Sequence, residues 1–294
     1  MTVSDAPDFF ELDKAGVRAA FDRASQTYEA AAVLQSRVAD DLLSRLEPFD
    51  FHPQVILDLG AGTGRAAAEL KRRYRRARVI ALDLAPRMLA QAAHHQHLFR
   101  RFERICADAC RLPLQSASAD IIFSNLMLQW CDPLEVFAEV RRVLKPQGFF
   151  AFTTFGPDTL KELRTAWAEA DTHNHVNRFL DPHDVGDALM RAGLQEPVLD
   201  IDRTQLTYTD GMTLMRDLKC IGARNATAGR PRSLLGRTRL QRVLTAYEAY
   251  RKNGTLPATY EVIYGAAWGS AGKPVTSAHA GEVRIPPSNI RRRK

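Results

Sequence analysis

The chain has 294 residues, of which 45% are hydrophobic and 26% are charged, a composition typical of a soluble globular protein. No apolar run approaches the ~20 residues that a membrane helix needs. The polar start MTVSDAPDFFELDKAG lacks the pattern of a secretion signal. Four scattered cysteines favour neither a disulfide framework nor a metal site. We therefore expect a cytoplasmic protein with no bound metal.

The chain is basic, with a formal net charge of +7 and a pI near 9.4. A basic surface attracts acidic partners such as nucleic acid, an anionic membrane or an acidic protein. The positive charge is concentrated in KRRYRRAR (71–78) and in the terminal IRRRK. Both runs are also compatible with ordinary solvated surface, so charge alone leaves the kind of partner open.

The first half of the chain predicts helices followed by alternating strands and helices. Residues 1–50 place apolar side chains at helical spacing in AGVRAAFDRASQTYEAAAVLQSRVADDLLSRL. The order then becomes QVILDLG (strand), TGRAAAELKRRY (helix), RVIALDL (strand), PRMLAQAAHHQ (helix), FERICADA (strand), ADIIFSN (strand), DPLEVFAEVRRVL (helix) and GFFAFTTF (strand). Strands that are apolar throughout and alternate with helices predict a parallel sheet covered on both faces.

The pattern loosens after residue 155. Helices are predicted in PDTLKELRTAWAEAD, DPHDVGDALMRAG, GMTLMRDLKCIGA and LLGRTRLQRVLTAYEAYRK, and strands in EPVLDIDRTQLTYT and ATYEVIYGAAW. Residues 270–294 carry little apolar material and predict a disordered tail.

Glycines and acids follow the ends of the first three strands. Gly60, Gly62 and Gly64 form a turn between a strand and a helix, where glycine lets a ligand approach the backbone closely. Asp83 ends the second strand, where a carboxylate can accept hydrogen bonds from both hydroxyls of a ribose. Asp108 ends the third, where it can accept one from an adenine amino group. Each acid alone is also compatible with a turn or a helix cap.

The glycine turn departs from two other phosphate-binding loops. Arg65 stands where the nicotinamide fingerprint has its third glycine. The Gly-Lys-Ser/Thr of a P-loop is absent from LDLGAGTGR. Both of these readings are therefore disfavoured, and a dinucleotide site stays open only as an alternative.

Together with DPLEVFAEVRRVLKPQGFFAFTTF, these features resemble the class I S-adenosylmethionine-dependent methyltransferases over residues 52–155. The resemblance implies a Rossmann-like α/β fold with a seven-stranded, mostly parallel sheet, an antiparallel last strand and helical lid insertions. It implies S-adenosylmethionine as the cofactor and S-adenosylhomocysteine as its product. The implied cofactor-binding residues are Arg23, Asp58, Gly60, Ala61, Gly62, Asp83, Leu84, Met88, Asp108, Ala109, Asn125, Leu126 and Gln129.

Further segments, several of them outside that core, are similar to the malonyl-acyl-carrier-protein O-methyltransferase family of biotin synthesis, over residues 17–269. They include AFDRASQTYEAAAVLQ, SNLMLQWC, AFTTFGPDTLKELRTAW, HVNRFLDPHDVGDAL and LMRDLKCIGARNA. This similarity implies methylation of the free carboxylate of malonyl-acyl carrier protein or malonyl-coenzyme A, and the basic charge suits an acidic carrier protein. NLMLQW stands where a base-flipping Asn/Asp-Pro-Pro-Tyr/Phe motif would be, which disfavours a nucleic-acid substrate.

The resemblance also implies an organisation for the chain. N-terminal helices cover the site, a cofactor-binding core follows, and a helical lid and substrate region carries the last strands. The N-terminal helices span residues 1–50, the core 51–155, the lid and substrate region 156–269, and the predicted tail 270–294. We expect a monomer without a membrane partner. A methyltransferase for a quinone or another small acid and a non-catalytic assembly factor with the same fold remain the alternatives.

The chemistry asks little of side chains, because a carboxylate is already ionised near neutral pH and needs no general base. Catalysis then depends on positioning, with a cation to hold the malonyl carboxylate. Arg178 is the first candidate and Lys219 the second, while Tyr28 is a candidate to orient the reacting oxygen. Ion pairing, a solvated helix face and helix packing, respectively, are the structural alternatives. The segment NLMLQW is expected to wall the site, with Gln129 and Trp130 steering the thioester arm.

Overall fold

A computed structural model describes residues 13–97, 99–171, 177, 179–223 and 236–270. Its strands are β1 (Val55–Leu59), β2 (Arg78–Asp83), β3 (Glu103–Cys106), β4 (Ala119–Ser124), β5 (Leu144–Phe155), β6 (Gln195–Tyr208) and β7 (Leu256–Trp268). They form one seven-stranded sheet in the order β3-β2-β1-β4-β5-β7-β6. β1 to β5 pair in parallel, whereas β7 is antiparallel to both neighbours. The predicted mostly parallel sheet with an antiparallel last strand is confirmed.

Helices cover both faces of this sheet. Those in the described part of the chain are α1 (Lys14–Ala24), α2 (Tyr28–Ala31), α3 (Val33–Ser44), α4 (Arg65–Arg73), α5 (Pro86–Gln91), α6 (Pro133–Val143), α7 (Lys161–Ala170), α8 (Pro182–Arg191), α9 (Gly211–Cys220) and α10 (Arg237–Glu248). The N-terminal run predicted as helical is divided into three helices by a turn at residues 25–27 and by Ala32, whose backbone leaves helical geometry. The predicted lid helices after residue 155 are present as α7, α9 and α10.

Alternating side chains of the strands fill two separate apolar layers. Ile56 packs with Leu70 of α4 on one face, and its neighbour Leu57 packs with Phe137 of α6 on the other. This alternation follows from the two-residue period of a strand. Burying each such side chain contributes roughly 1.5–3 kcal/mol. Because both faces are dry, the polar residues of β1, β2 and β4 lie at or next to the strand ends.

Two helix starts are fixed by the same short motif. Asp132 precedes Pro133, and its Oδ1 accepts a hydrogen bond from the N–H of Leu134 at 2.8 Å. Asp181 precedes Pro182 and accepts from the N–H of His183 at 2.9 Å. Proline at the first helical position has no N–H to leave unpaired, and an aspartate cap satisfies the next one. These caps end the loops that follow β4 and precede α8.

No helix in the described ranges is long and apolar enough to cross a membrane. The four cysteines are free. Among described residues, no cluster of three His, Cys, Asp or Glu side chains could hold a metal ion. The tail from residue 271 onward lies outside the described part.

Candidate active site

The backbone of the glycine turn after β1 packs closely against Leu82 and Met127. Gly60 and Gly62 have φ of 75° and 54°, a region that side chains rarely adopt. The N–H groups of Gly60 and Ala61 donate to the carbonyl of Leu82 at 2.8 and 3.0 Å. A Cβ at residue 60 would lie 2.3 Å from Cγ of Met127, whereas one at residue 62 would meet nothing within 4 Å. The turn therefore packs on one side and presents open backbone on the other.

Asp83 lies at the carboxyl end of β2, beside this turn. Its Oδ2 accepts from the N–H of Gly62 and its Oδ1 from the N–H of Ala85, both at 2.8 Å. Burial raises the pKa of Asp83, and these backbone N–H groups oppose that effect. Each carboxylate oxygen keeps a lone pair for another donor. The side chain is thus held in place and still able to accept from ribose hydroxyls.

Asp58 is an acid buried beneath the turn, 1% exposed. Its Oδ2 is buried and has no hydrogen-bond partner among the described residues. Burial, together with the charge of Asp83, raises the pKa of Asp58 to about 7. A buried acceptor without a donor is costly to a folded protein. The ammonium group of a ligand would donate to this oxygen. Asp58 therefore fits the amino-acid end of the cofactor.

Asp108 follows β3 and carries two hydrogen bonds. Its Oδ1 accepts from the N–H of Cys110 at 2.9 Å, and its Oδ2 lies 2.9 Å from Nζ of Lys14. Partial burial acts to raise the pKa of Asp108, but the Cys110 N–H and the lysine outweigh it and hold the pKa below its usual value. The carboxylate is therefore ionised and available to accept from a base amino group.

Asp83 and Asp108 line a cavity that we call the cofactor cavity, and Asp58 lines the opening beside it. The walls of the cofactor cavity include Val17 and Phe21 of α1. Its other lining residues include Tyr28, Gly60, Gly62, Asp83, Leu84, Met88, Asp108, Ala109, Asn125, Leu126, Met127, Trp130 and Cys131. A larger opening of about 520 Å³ adjoins it, lined by residues that include Asp58, Ala61 and Gln35. Tyr28, Gly60, Gly62 and Asn125 border both, so the two spaces are continuous around the glycine turn.

Asn125 lies where these two spaces meet. Its Nδ2 donates to the carbonyl of Gln35 at 3.1 Å, and its Oδ1 accepts from the hydroxyl of Thr153 at 2.9 Å. Leu126 follows with φ of 49°, and its N–H donates to the hydroxyl and the carbonyl of Thr153. The sharp turn after β4 is thereby fixed against β5 and α3. It aims the amide of Asn125 and the side chain of Leu126 into the cavity.

A third cavity, the acceptor cavity, lies on the other side of Tyr28 and Leu126. Its described lining is mostly apolar and contains neither lysine nor arginine: Phe21, Tyr28, Gln35, Leu126, Gln129, Trp130, Phe155, Thr159, Leu160, Leu163, Asn177, Phe179, Leu218, Ile221, Ala223 and Tyr260. Gln129 donates from Nε2 to the carbonyl of Leu126 at 2.6 Å. Its Oε1 is buried without a described partner. Trp130 packs edge-to-face on Phe21, with ring centroids 5.3 Å apart.

The structure does not bring all the candidate residues together. Gln129 lines the acceptor cavity but not the cofactor cavity, where the resemblance implied it. Arg23 is exposed in the last turn of α1 and borders none of the three spaces. Lys219 is likewise exposed on α9, although its neighbour Leu218 lines the acceptor cavity. Arg178 lies outside the described residues.

Comparison with known proteins identifies the family. A family model described as a methyltransferase domain matches residues 57–152. A malonyl-[acyl-carrier protein] O-methyltransferase from Methylovorus sp. (strain MP688) is 53% identical over 268 residues, which are 89% of this chain and 90% of that protein. The corresponding protein of Halorhodospira halophila is 49% identical over 290 residues, 98% of each chain. The chain belongs to the malonyl-[acyl-carrier protein] O-methyltransferase family. It is an S-adenosylmethionine-dependent methyltransferase, as the sequence predicted.

Solved structures share the fold at much lower identity. The YcgJ protein from Bacillus subtilis superposes with a TM-score of 0.57 at 18% identity, over 79% of this chain and 98% of that one. A putative methyltransferase from Bacillus halodurans gives 0.56 at 17% identity, over 79% and 100%. The fold is thus shared with these two solved structures.

Among the described residues of this methyltransferase, Tyr28 borders all three spaces. It begins the short helix α2, directly after the break in the N-terminal helical run. Burial, and to a lesser extent the charge of Asp83, raises the pKa of Tyr28 well above its ordinary value. Its hydroxyl is therefore neutral at physiological pH and can donate a hydrogen bond.

Sequence reasoning missed the contributions of Lys14, Gln35 and Thr153. Lys14 pairs with a carboxylate 94 positions away. Gln35 offers its backbone carbonyl to Asn125 across 90 positions. Neither contact depends on a local motif. Every residue type has a backbone carbonyl, so the sequence does not indicate which carbonyl accepts a hydrogen bond. For Thr153, a hydroxyl inside an otherwise apolar strand was a signal that could have pointed to a polar neighbour.

Proposed function

We propose that this methyltransferase methylates the free carboxylate of a malonyl thioester carried on acyl carrier protein or coenzyme A, the step that opens pimeloyl and biotin synthesis. The observation that carries the proposal is the junction of two cavities. The cofactor cavity, which Asp83 and Asp108 line, meets the mostly apolar acceptor cavity at Tyr28 and Leu126. The names of the relatives give the same substrate.

The residues of the cofactor cavity fit S-adenosylmethionine group by group. We assign Asp83 to the ribose hydroxyls, Asp108 to the adenine amino group, and Asp58 with the glycine turn to the amino-acid end. Leu84 and Met88 supply apolar contacts beside Asp83. When bound, the cofactor supplies an electrophilic methyl group on a cationic sulfur.

The acceptor cavity is suited to a nucleophile that arrives already ionised. A malonyl carboxylate needs no proton removed near neutral pH. The raised pKa of Tyr28 makes it a poor base but a stable hydrogen-bond donor. We assign its hydroxyl to orienting the reacting oxygen, a task that lowers the barrier through alignment.

Exclusion of water is the second task of this cavity. Phe21, Leu126, Trp130 and Phe155 form much of its lining. The reaction neutralises an anion against a cation, so a dry apolar wall favours its transition state over the separated charges. Apolar side chains at the end of β4 would be out of place in an exposed loop, and here they enclose the reacting groups.

Arg178 remains our first candidate for binding the second carboxylate oxygen. Asn177 and Phe179, its neighbours in the chain, both line the acceptor cavity. Lys219 is exposed and borders none of the described cavities, so we rank it below Arg178. An arginine fork can hold a carboxylate without binding the attacking oxygen itself.

The proposal is tested by weighing the product. Purified protein is incubated with S-adenosylmethionine and malonyl-acyl carrier protein, and the carrier is analysed by intact-mass spectrometry. Acetyl-acyl carrier protein, which has no free carboxylate, is the matched control. We expect the malonyl form alone to gain the mass of one CH₂ unit. No gain, or an equal gain by the acetyl form, would refute the proposed substrate. A gain with a quinone acceptor instead would favour the alternative methyltransferase.

The broader organisation follows the same proposal. We propose that the N-terminal helices (1–50) and the region 156–269 form covers around the core of residues 51–155. We also propose that the protein acts as a cytoplasmic monomer without a membrane or nucleic-acid partner. Size-exclusion chromatography with light scattering tests the oligomeric state.

A further inference from the structure

Lys14 occupies a helical position where a positive charge is disfavoured. Asp13 caps α1, because its Oδ1 accepts a hydrogen bond from the N–H of Gly16 at 2.8 Å. This cap makes Lys14 the first residue of the helix, at the positive end of the helix dipole. A cation at this point destabilises the helix locally unless another interaction offsets the effect. A local conflict of this kind is a mark of a functional position.

The offsetting interaction is with Asp108. Nζ of Lys14 lies 2.9 Å from Oδ2 of Asp108 and 3.7 Å from Oε2 of Glu135. The other oxygen of Asp108 accepts from the N–H of Cys110 at 2.9 Å. Both oxygens of this carboxylate are therefore oriented, one by the backbone of its own loop and one by the N-terminal helix.

The helix that carries Lys14 is also a wall of the cofactor cavity. Val17 and Phe21 follow Lys14 by three and seven positions, so the three residues lie on one side of α1. Val17, Phe21 and Asp108 all line the cofactor cavity. The ion pair thus joins the wall of the cavity to the carboxylate on its floor.

We propose that Lys14 is a positioning residue for the cofactor: it orients the carboxylate of Asp108 toward the adenine amino group and ties that carboxylate to α1. The inference rests on the proposed assignment of Asp108 to adenine. An ionised carboxylate has about four lone-pair sites, so it can accept from Lys14, from Cys110 and from a base at once. Since both side chains are partly exposed, at 45% and 32%, the pair adds little to folding stability. The main effect of the ion pair is therefore on the affinity for the cofactor.

Titration calorimetry with S-adenosylhomocysteine tests the role of Lys14. The variants are Lys14→Met, Asp108→Asn and the double variant, with Arg18→Met as the matched control. Arg18 is one turn further along α1, is exposed, and has no ion pair within the described residues. Lys14→Met is expected to weaken binding by roughly 5- to 10-fold and Arg18→Met by less than about 2-fold. Because Lys14 acts through Asp108, the double variant should lose less than the product of the two single losses.

A pH series separates this role from a merely structural one. Loss of Lys14 removes a cation that lowers the pKa of Asp108, so the loss of affinity on acidification should begin at a higher pH in Lys14→Met than in the wild type. Lys14→Arg keeps the positive charge, so its affinity for S-adenosylhomocysteine and the pH dependence of that affinity should match those of the wild type. In turnover, the KM for the cofactor should rise in Lys14→Met while kcat changes little.

Three results would overturn the inference: equal losses in Lys14→Met and Arg18→Met, full additivity in the double variant, or an unchanged pH profile. Normal binding by Asp108→Asn would overturn both the inference and the assignment of Asp108. Weak binding by Asp108→Asn with normal binding by Lys14→Met would overturn the inference alone. None of these binding results depends on which acceptor is methylated, so the proposed substrate is tested separately.

Discussion

The carboxylates of Asp58 and Asp83 lie close enough beneath the glycine turn for the charge of Asp83 to raise the pKa of Asp58. Burial is the larger cause, and together they raise that pKa to about 7. Oδ2 of Asp58 has no partner in the described structure, while both oxygens of Asp83 accept backbone N–H groups. The site therefore holds one satisfied acid and one that lacks a donor.

This arrangement predicts an opposite response of stability and binding in Asp58→Asn. The folded-state pKa of Asp58 is raised above 3.8, so its contribution to stability is fully present below about pH 4 and is lost as pH rises through 7. At pH 8 the ligand-free variant should be more stable than the wild type by up to a few kcal/mol. At pH 4 the two should unfold alike. Urea unfolding at both pH values measures this.

Binding should change in the other direction. The wild type should bind S-adenosylhomocysteine more tightly as pH rises through 7 and Asp58 ionises. Asp58→Asn should bind at least about 10-fold more weakly at pH 8 and lose that pH dependence. Asp187→Asn, an exposed acid on α8, is the control. Tight binding by Asp58→Asn at pH 8 would contradict the assignment of Asp58 to the cofactor.

The glycine turn predicts a second contrast, between two glycines with similar backbones. Gly60 and Gly254 have φ of 75° and 79°, but only at residue 60 would a Cβ collide, 2.3 Å from Met127. Gly254→Ala should cost about 1–2 kcal/mol from backbone strain alone. Gly60→Ala should cost more and also abolish cofactor binding. Thermal unfolding and calorimetry compare the two; equal destabilisation would show that the packing of Gly60 on Met127 is unimportant.

Tyr28→Phe tests the hydroxyl of the residue that borders both cavities. If this hydroxyl orients the malonyl oxygen, kcat should fall by roughly 10-fold while affinity for S-adenosylhomocysteine stays within about 2-fold, because the ring still covers the cavity. Since the pKa of Tyr28 is raised, wild-type kcat should show no loss below about pH 10 from its ionisation. Stopped-assay kinetics measure both. An unchanged kcat would leave Tyr28 with a packing role only.

The two candidate cations are separated by a paired substitution. Arg178→Ala should lose most activity with the carrier substrate while it retains cofactor affinity, because the residues on either side of it line the acceptor cavity. Lys219→Ala should lose much less, because Lys219 is exposed. Steady-state rates and calorimetry on both variants measure this. A larger loss in Lys219→Ala would reverse the ranking.

The sheet could be predicted from sequence because its signals are local. Apolar strands such as VIALD end in glycine or acid, and the helix starts at Pro86 and Pro133 follow from proline chemistry. The prediction that the last strand is antiparallel came from the resemblance to a family, because hydrophobic periodicity does not indicate the direction of a strand. The antiparallel pairing of β7 with β5 and β6 agrees with it.

The site could be predicted only in part, because much of it is built from distant contacts. The turn before Tyr28 lies within a run of roughly helical spacing, so the sequence predicted N-terminal helices but not the residues at which each of them ends. Asn125 was named for the cofactor, but its anchors at Gln35 and Thr153 lie 90 and 28 positions away. Gln129 was predicted both to bind the cofactor and to steer the thioester arm, and the 3₁₀ turn at Leu128–Trp130 places it in the lining of the acceptor cavity.

The most direct test of the central claim follows the fate of the transferred methyl group. The protein is incubated with methyl-labelled S-adenosylmethionine and malonyl-acyl carrier protein, and the product is treated with mild alkali. A methyl ester of the malonyl carboxylate should release the label as volatile methanol. Label that enters the carrier but stays on it after alkali would contradict methylation of a carboxylate by this site.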